Sequence, residues 1–114
     1  MSDCRTDAKA HRSVNVGKVA VFKSVSVSKA QALKVLEEAS EVVEATKRVI
    51  SDIEEGERIG MARHEFVTGS RDDLLDEIAD VVQASMNLAS ALGAVDFTGR
   101  MHECRKRNER RGRM

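Results

Sequence analysis

The sequence predicts an all-α protein, and three observations carry that expectation. The two longest stretches free of glycine and proline both repeat their apolar residues at helical spacing. Proline is absent from all 114 residues, as are Tyr and Trp, and Phe occurs only at positions 22, 66 and 97. A core must therefore come from Val, Leu, Ile, Ala and Met. Helix-on-helix packing uses these more readily than an aromatic-rich sandwich does. With 41% hydrophobic and 33% charged residues, the chain fits one soluble domain with a modest core, not a disordered polymer.

Taken in order, residues 1 to about 17 are polar and aperiodic and read as a flexible tail. Val19, Val21, Val25 and Val27 alternate loosely with polar residues, as in a short strand or an extended arm lying on a neighbouring subunit. Residues 1–27 thus read as tail and arm, and 28–114 as one helical domain. Ser28 suits an N-cap for a helix from Lys29 to about Glu55, with Gly56 as its stop. Leu33, Leu36, Val43 and Ile50, together with Val35, Val42, Val49 and Ile53, make one broad apolar face on it. Glu57 to Gly69 reads as a loop with a short turn around Met61–Phe66.

Ser70 and Asp73 resemble a capping box opening a second helix that runs to about Leu92. Its apolar face is Leu74, Ile78, Val81, Val82, Ser85, Leu88, Ala89 and Leu92, and Gly93 ends it. Asp96 or Thr98 caps a third helix to about Arg110, with Phe97, Met101 and Cys104 turned inward. Met61, Met86 and Met101 read as core filler. Long apolar faces on so few helices argue against a lone monomer.

Net charge is zero, so overall charge selects no partner, but its distribution is uneven. Eight acidic residues fall between Glu37 and Glu57, and five between Asp72 and Asp80. Seven Arg or Lys fall between Arg100 and Arg113. Two acidic zones and a basic end suit a cation and a polyanion, although solvated helix faces have the same composition. Cys4 and Cys104 lack metal-type spacing and read as reduced thiols, which places the protein in the cytoplasm. No apolar run is long enough to span a membrane, and the N-terminus has no signal-type apolar segment.

The chemistry lies in two acidic motifs. Glu38 and Glu41 are three residues apart, as are Glu77 and Asp80, so each pair shares one side of its helix. Both pairs flank the apolar stripe. Antiparallel packing by those stripes lets four carboxylates converge across one groove. Like charges so placed need neutralising, and Mg²⁺ prefers carboxylate, water and phosphate oxygens. A single Glu-x-x-Glu is usually a solvated helix face; the pairing on consecutive helices is the stronger signal.

The run Leu36-Glu37-Glu38-Ala39-Ser40-Glu41, followed by Glu77-Ile78-Ala79-Asp80-Val81-Val82, resembles the E-E-x-x-E … E-x-x-D signature of the MazG-like all-α NTP pyrophosphohydrolases. Arg107-Asn108-Glu109-Arg110-Arg111-Gly112-Arg113 is similar to the R-N-x-x-R-G-R ending of small MazG-like proteins. The likeness spans roughly residues 28–113. It implies an antiparallel helical bundle completed as a homodimer or homotetramer. It also implies Mg²⁺-dependent hydrolysis of (d)NTP to (d)NMP and pyrophosphate. Glu38, Glu41, Glu77 and Asp80 match the family's metal-binding acids, and Lys106, Asn108 and Arg111 fall near its nucleotide-binding groups. The 35 residues between Glu41 and Glu77 exceed the family's usual spacing. They include a loop with Arg58, Arg63 and His64, a candidate for covering the site or binding substrate. The aromatics with which some relatives stack the base are missing.

Rival readings are a helical nucleic-acid-binding module, from the basic end, and a non-catalytic interaction protein. Nucleic acid is disfavoured by the lack of a helix-turn-helix or base-stacking aromatics. Phosphoribosyl-ATP pyrophosphohydrolase is an alternative within the enzyme class. No P-loop motif exists, and no His follows an acidic residue at the Glu-x-x-His spacing of di-iron helices.

Overall fold

A computed structural model describes residues 12–61 and 68–114. Lys29–Ile59 forms α1, Thr68–Ala91 forms α2 and Thr98–Arg110 forms α3, with no strand among the described residues. The class is therefore all-α. Val19–Ala94 makes one compact unit, and Val95–Met114 with the described residues before Val19 makes another. No helix among the described residues is long and apolar enough to cross a membrane.

Helix α1 starts where Ser28, in extended backbone, accepts the Gln31 N–H on its hydroxyl at 3.1 Å. It does not stop at Gly56, as the sequence suggests, but runs through that buried glycine. One glycine inside a helix costs only about 1 kcal/mol. The left-handed residue that closes the helix is Gly60 (φ 78°). Its N–H donates to the Glu57 carbonyl, and the Met61 N–H donates to the Gly56 carbonyl at 2.9 Å. That pair of bonds satisfies the last carbonyls of the helix. Arg58, expected in a loop, lies in this last turn and pairs with Glu55. Arg63, His64 and most of the expected Met61–Phe66 turn lie outside the described residues.

Along α1, Val35, Glu38, Val42, Ala45, Val49, Asp52 and Gly56 are all buried or half-buried, at alternating spacings of three and four. Along α2, Ser70, Leu74, Glu77, Val81, Ala84, Leu88 and Ala91 repeat the pattern. The two stripes pack on each other. They run antiparallel: Asp52 meets Ser70 at one end, and Glu38 meets Glu77 and Asp80 at the other.

The broad apolar face expected on α1 divides in two. Val35, Val42, Val49 and Ile53 are half-buried, whereas Leu33, Leu36, Val43 and Ile50 stay exposed. One partner helix covers only the stripe that faces it, and the apolar arc of α1 is wider than that. Leu75, Ile78 and Leu92 on α2 are exposed as well. The buried apolar side chains among the described residues are Ala45 and Ala84, a small core for this length of helix.

Helix α2 begins two residues before the proposed capping box. Ser70 lies inside the first turn, and its hydroxyl reaches across to donate to Asp52 Oδ2 at 2.5 Å. The far end follows expectation. Gly93 (φ 97°) donates to the Ser90 carbonyl and closes the helix. The described residues before α1 form no strand. Around Ala20 and Phe22 the expected arm bonds to α2 of its own chain. Gln83 Nε2 donates to the Ala20 carbonyl at 2.8 Å, and the Phe22 N–H donates to Asn87 Oδ1 at 3.1 Å. These side chains supply the hydrogen bonds that a strand partner would otherwise give the arm.

In the C-terminal unit, Asp96 Oδ1 accepts from both the N–H and the hydroxyl of Thr98, at 3.0 and 2.8 Å. The backbone bond, then the hydroxyl bond, holds the Asp96 carboxyl below its ordinary range. Phe97 and Met101 are exposed and Cys104 is half-buried, so the inward face expected on α3 is mostly solvated. No residue of α3 is buried, because its charged residues leave too narrow an apolar stripe. Met61 is exposed too, and of the three methionines expected as core filler only Met86 is half-buried.

Candidate metal centre

Glu38 stands in the inner stripe of α1, not at its border, and its side chain is only 12% exposed. A helix places residues 35, 38 and 42 on one line, so the carboxylate follows Val35 into the seam with α2. From α2, Glu77 occupies the facing stripe, and Asp80 follows one turn later at its exposed edge.

Glu38, Glu77 and Asp80 each offer one carboxylate oxygen, and these oxygens lie within 4.8 Å of one another. Glu41, the fourth expected ligand, is exposed one turn beyond Glu38 and lies outside that cluster, although its charge acts on Glu77. Partial burial pushes the Glu77 carboxyl above its ordinary value, and the charge of Glu41 raises it further. Repulsion from Asp80, a hydrogen bond with Asp80 and the charge of Glu38 add to the same shift. The other three acids of the paired motifs therefore all act on Glu77, with Glu38 and Glu41 doing so from across the α1–α2 seam.

The donor set suits a hard divalent cation. It is all oxygen, it comes from two rigid helices, and its mutual repulsion is relieved by positive charge. Oxygens on opposite sides of Mg²⁺ stand about 4.2 Å apart, which small side-chain rotations would reach from here. Three carboxylate oxygens also leave positions of an octahedron open for water or phosphate.

Lys34, which sequence reasoning passed over, lies one turn before Glu38. Its Nζ is 3.3 Å from Glu38 Oε2 and 3.6 Å from Glu37 Oε1. The hydrogen bond and the charge of Glu38, in that order, raise the lysine above its ordinary value. The available signal was the four-residue spacing of Lys34 and Glu38. Asn87 was also missed. Only 2% exposed, it accepts from the Phe22 N–H and from Gln83 Nε2, and the four-residue spacing of the two amides was its signature.

Lys106, Asn108 and Arg111 belong to the C-terminal unit. Lys106 faces Glu103 at 3.8 Å. Asn108 Nδ2 donates to Cys104 Sγ at 3.7 Å, and its Oδ1 accepts from Arg113 at 3.1 Å. Arg111 is exposed and closes α3 through its backbone N–H. His102 is exposed. Comparison with protein-family models, with curated proteins and with solved structures returned no match.

Proposed function

We propose that the protein is a Mg²⁺-dependent nucleoside triphosphate pyrophosphohydrolase of the MazG-like type, converting (d)NTP to (d)NMP and pyrophosphate in the cytoplasm. The observation that carries this reading is the meeting of Glu38, Glu77 and Asp80 within 4.8 Å, with Glu41 beside them. The paired motifs Glu37-Glu38-x-x-Glu41 and Glu77-x-x-Asp80 support it, through their resemblance to that family's signature.

In this reading Glu38, Glu41, Glu77 and Asp80 hold the cation. Bound there, Mg²⁺ supplies Lewis-acid polarisation of the triphosphate and charge neutralisation at the reacting phosphorus. A carboxylate of the group would assist removal of the proton from an attacking water. By the resemblance of the chain's ending to the family's, Lys106, Asn108 and Arg111 are the candidates for contact with the nucleotide. Assembly into a homodimer or homotetramer fits the exposed Leu33, Leu36, Val43 and Ile50, which leave a wide apolar face uncovered.

The test is pyrophosphate release over a panel of canonical and modified NTPs and dNTPs, with and without Mg²⁺. Asp80→Asn and Glu41→Gln retain helical circular dichroism but lose activity by at least the roughly 10- to 100-fold seen for residues that merely support metal ligands. Near-normal turnover by both variants, or none by the wild type on any nucleotide, rejects the assignment.

A further inference from the structure

Helix α1 carries a second heptad row besides the one that meets α2. The inner row is Val35, Glu38, Val42, Ala45, Val49 and Asp52, all buried or half-buried. The outer row is Leu33, Leu36, Ser40, Val43, Lys47 and Ile50, with the same alternation of three and four, and every member is exposed. At 3.6 residues per turn the two rows stand roughly 160° apart, so α2 leaves the outer one bare over about 25 Å. Leu33, Leu36, Glu37, Ser40 and Glu41 line a hollow on this face. The first four stand at i, i+3, i+4 and i+7, the set that receives one side chain of a facing helix in knobs-into-holes packing.

The charges along the row indicate what that helix is. Glu37, Glu41 and Glu44, against Lys34 alone, flank its first half, and Lys47 and Arg48 fall in its second. Arg48 is exposed and has no ion pair among the described residues. A second α1 lying antiparallel brings the basic part of each helix to the acidic part of the other, whereas a parallel one sets Lys47 against Lys47. Over the full row, antiparallel alignment puts Leu33 opposite Ile50, Ser40 opposite Val43, and Leu36 opposite the aliphatic stem of Lys47. Every contact then occurs twice about one twofold axis. A lysine at a single seam position is a known means of fixing register.

We propose that the outer row of α1 is a self-association surface: it binds α1 of a second copy of this chain, antiparallel, with Leu33 against Ile50 and with Lys47 and Arg48 beside Glu37. This gives the homo-oligomer named above its contact, but it draws on α1 alone and holds whether or not the carboxylate group binds a cation.

Sedimentation equilibrium finds the wild type self-associated. Val43→Arg sets like charges at the middle of the contact and raises the dissociation constant roughly thirtyfold or more, with helical circular dichroism unchanged. A monomeric wild type, or undiminished association of Val43→Arg, overturns the surface. Direction is read separately, in chains that also carry Cys4→Ser and Cys104→Ser. Under mild oxidation, Leu33→Cys chains cross-link to Ile50→Cys chains faster than either cross-links to itself. Self-cross-linking of Leu33→Cys chains as fast as the mixed reaction overturns the antiparallel order. None of these measurements involves turnover, so failure of the pyrophosphohydrolase reading leaves their outcome unchanged.

Discussion

Two acidic residues interrupt the inner stripe of α1, and α2 meets them differently. Asp52, near the C-terminal end, faces the hydroxyl of Ser70 and accepts its proton at 2.5 Å. Glu38, two heptads earlier, faces Glu77 and Asp80. Both carboxylates sit at positions where a helical seam ordinarily holds an apolar side chain. At Asp52 the partner is a neutral donor, and the contact pins the register of the two helices. At Glu38 the facing groups carry the same charge, and among the described residues the cation beside it, Lys34, comes from its own helix. A polar residue in a seam is structural when its neighbour completes a hydrogen bond. When its neighbours repeat its charge, as at Glu38, the fold carries a repulsion that a bound cation would relieve.

The largest contrast should come from Glu38→Leu. It removes a buried charge from a crowded site, so the metal-free fold should gain about 1–2 kcal/mol in urea unfolding. Pyrophosphate release should vanish in the same variant. A loss of stability with activity retained would reverse the comparison. Asp52→Ala should act the opposite way. It removes the Ser70–Asp52 hydrogen bond and should cost about 0.5–1.5 kcal/mol, with turnover per folded molecule close to wild type.

The smallest effect is a pH dependence centred on Glu77. Its carboxyl keeps a proton to higher pH in the fold than in the unfolded chain, whose value is near 4.5. The folded state therefore binds more protons, and stability falls as pH rises from about that value through the raised one. Thermal unfolding of the metal-free protein should show this decline. Glu77→Gln should flatten it, and saturating Mg²⁺ should oppose it. An unchanged profile in Glu77→Gln would mean that the repulsion has no energetic weight.

Much of the site was legible because it is local. The spacing of Glu38 and Glu41, and of Glu77 and Asp80, places each pair on one side of a helix whatever the helix packs against. The caps at Ser28 and Gly93 were readable for the same reason, since each depends on a few adjacent residues. Gly56 and Ser70 were misread because their local signals compete with tertiary ones. Gly56 remains helical while it is buried, and Ser70 gives its hydroxyl to Asp52. The apolar face of α1 was also read as a single surface, since periodicity reports which residues are apolar and not which of them a given neighbour covers.

Residue order alone was enough for the all-α class, for the helical cores of α1 and α2 and for two carboxylate pairs beside apolar stripes, all of which follow from the pitch of an α-helix. Only the packed structure could decide that Glu38 turns into the seam and that Asp52 and Ser70 meet across it. Those facts depend on how far one helix slides and rotates against another. That choice is made by the fit of whole stripes, and no short window of sequence contains it.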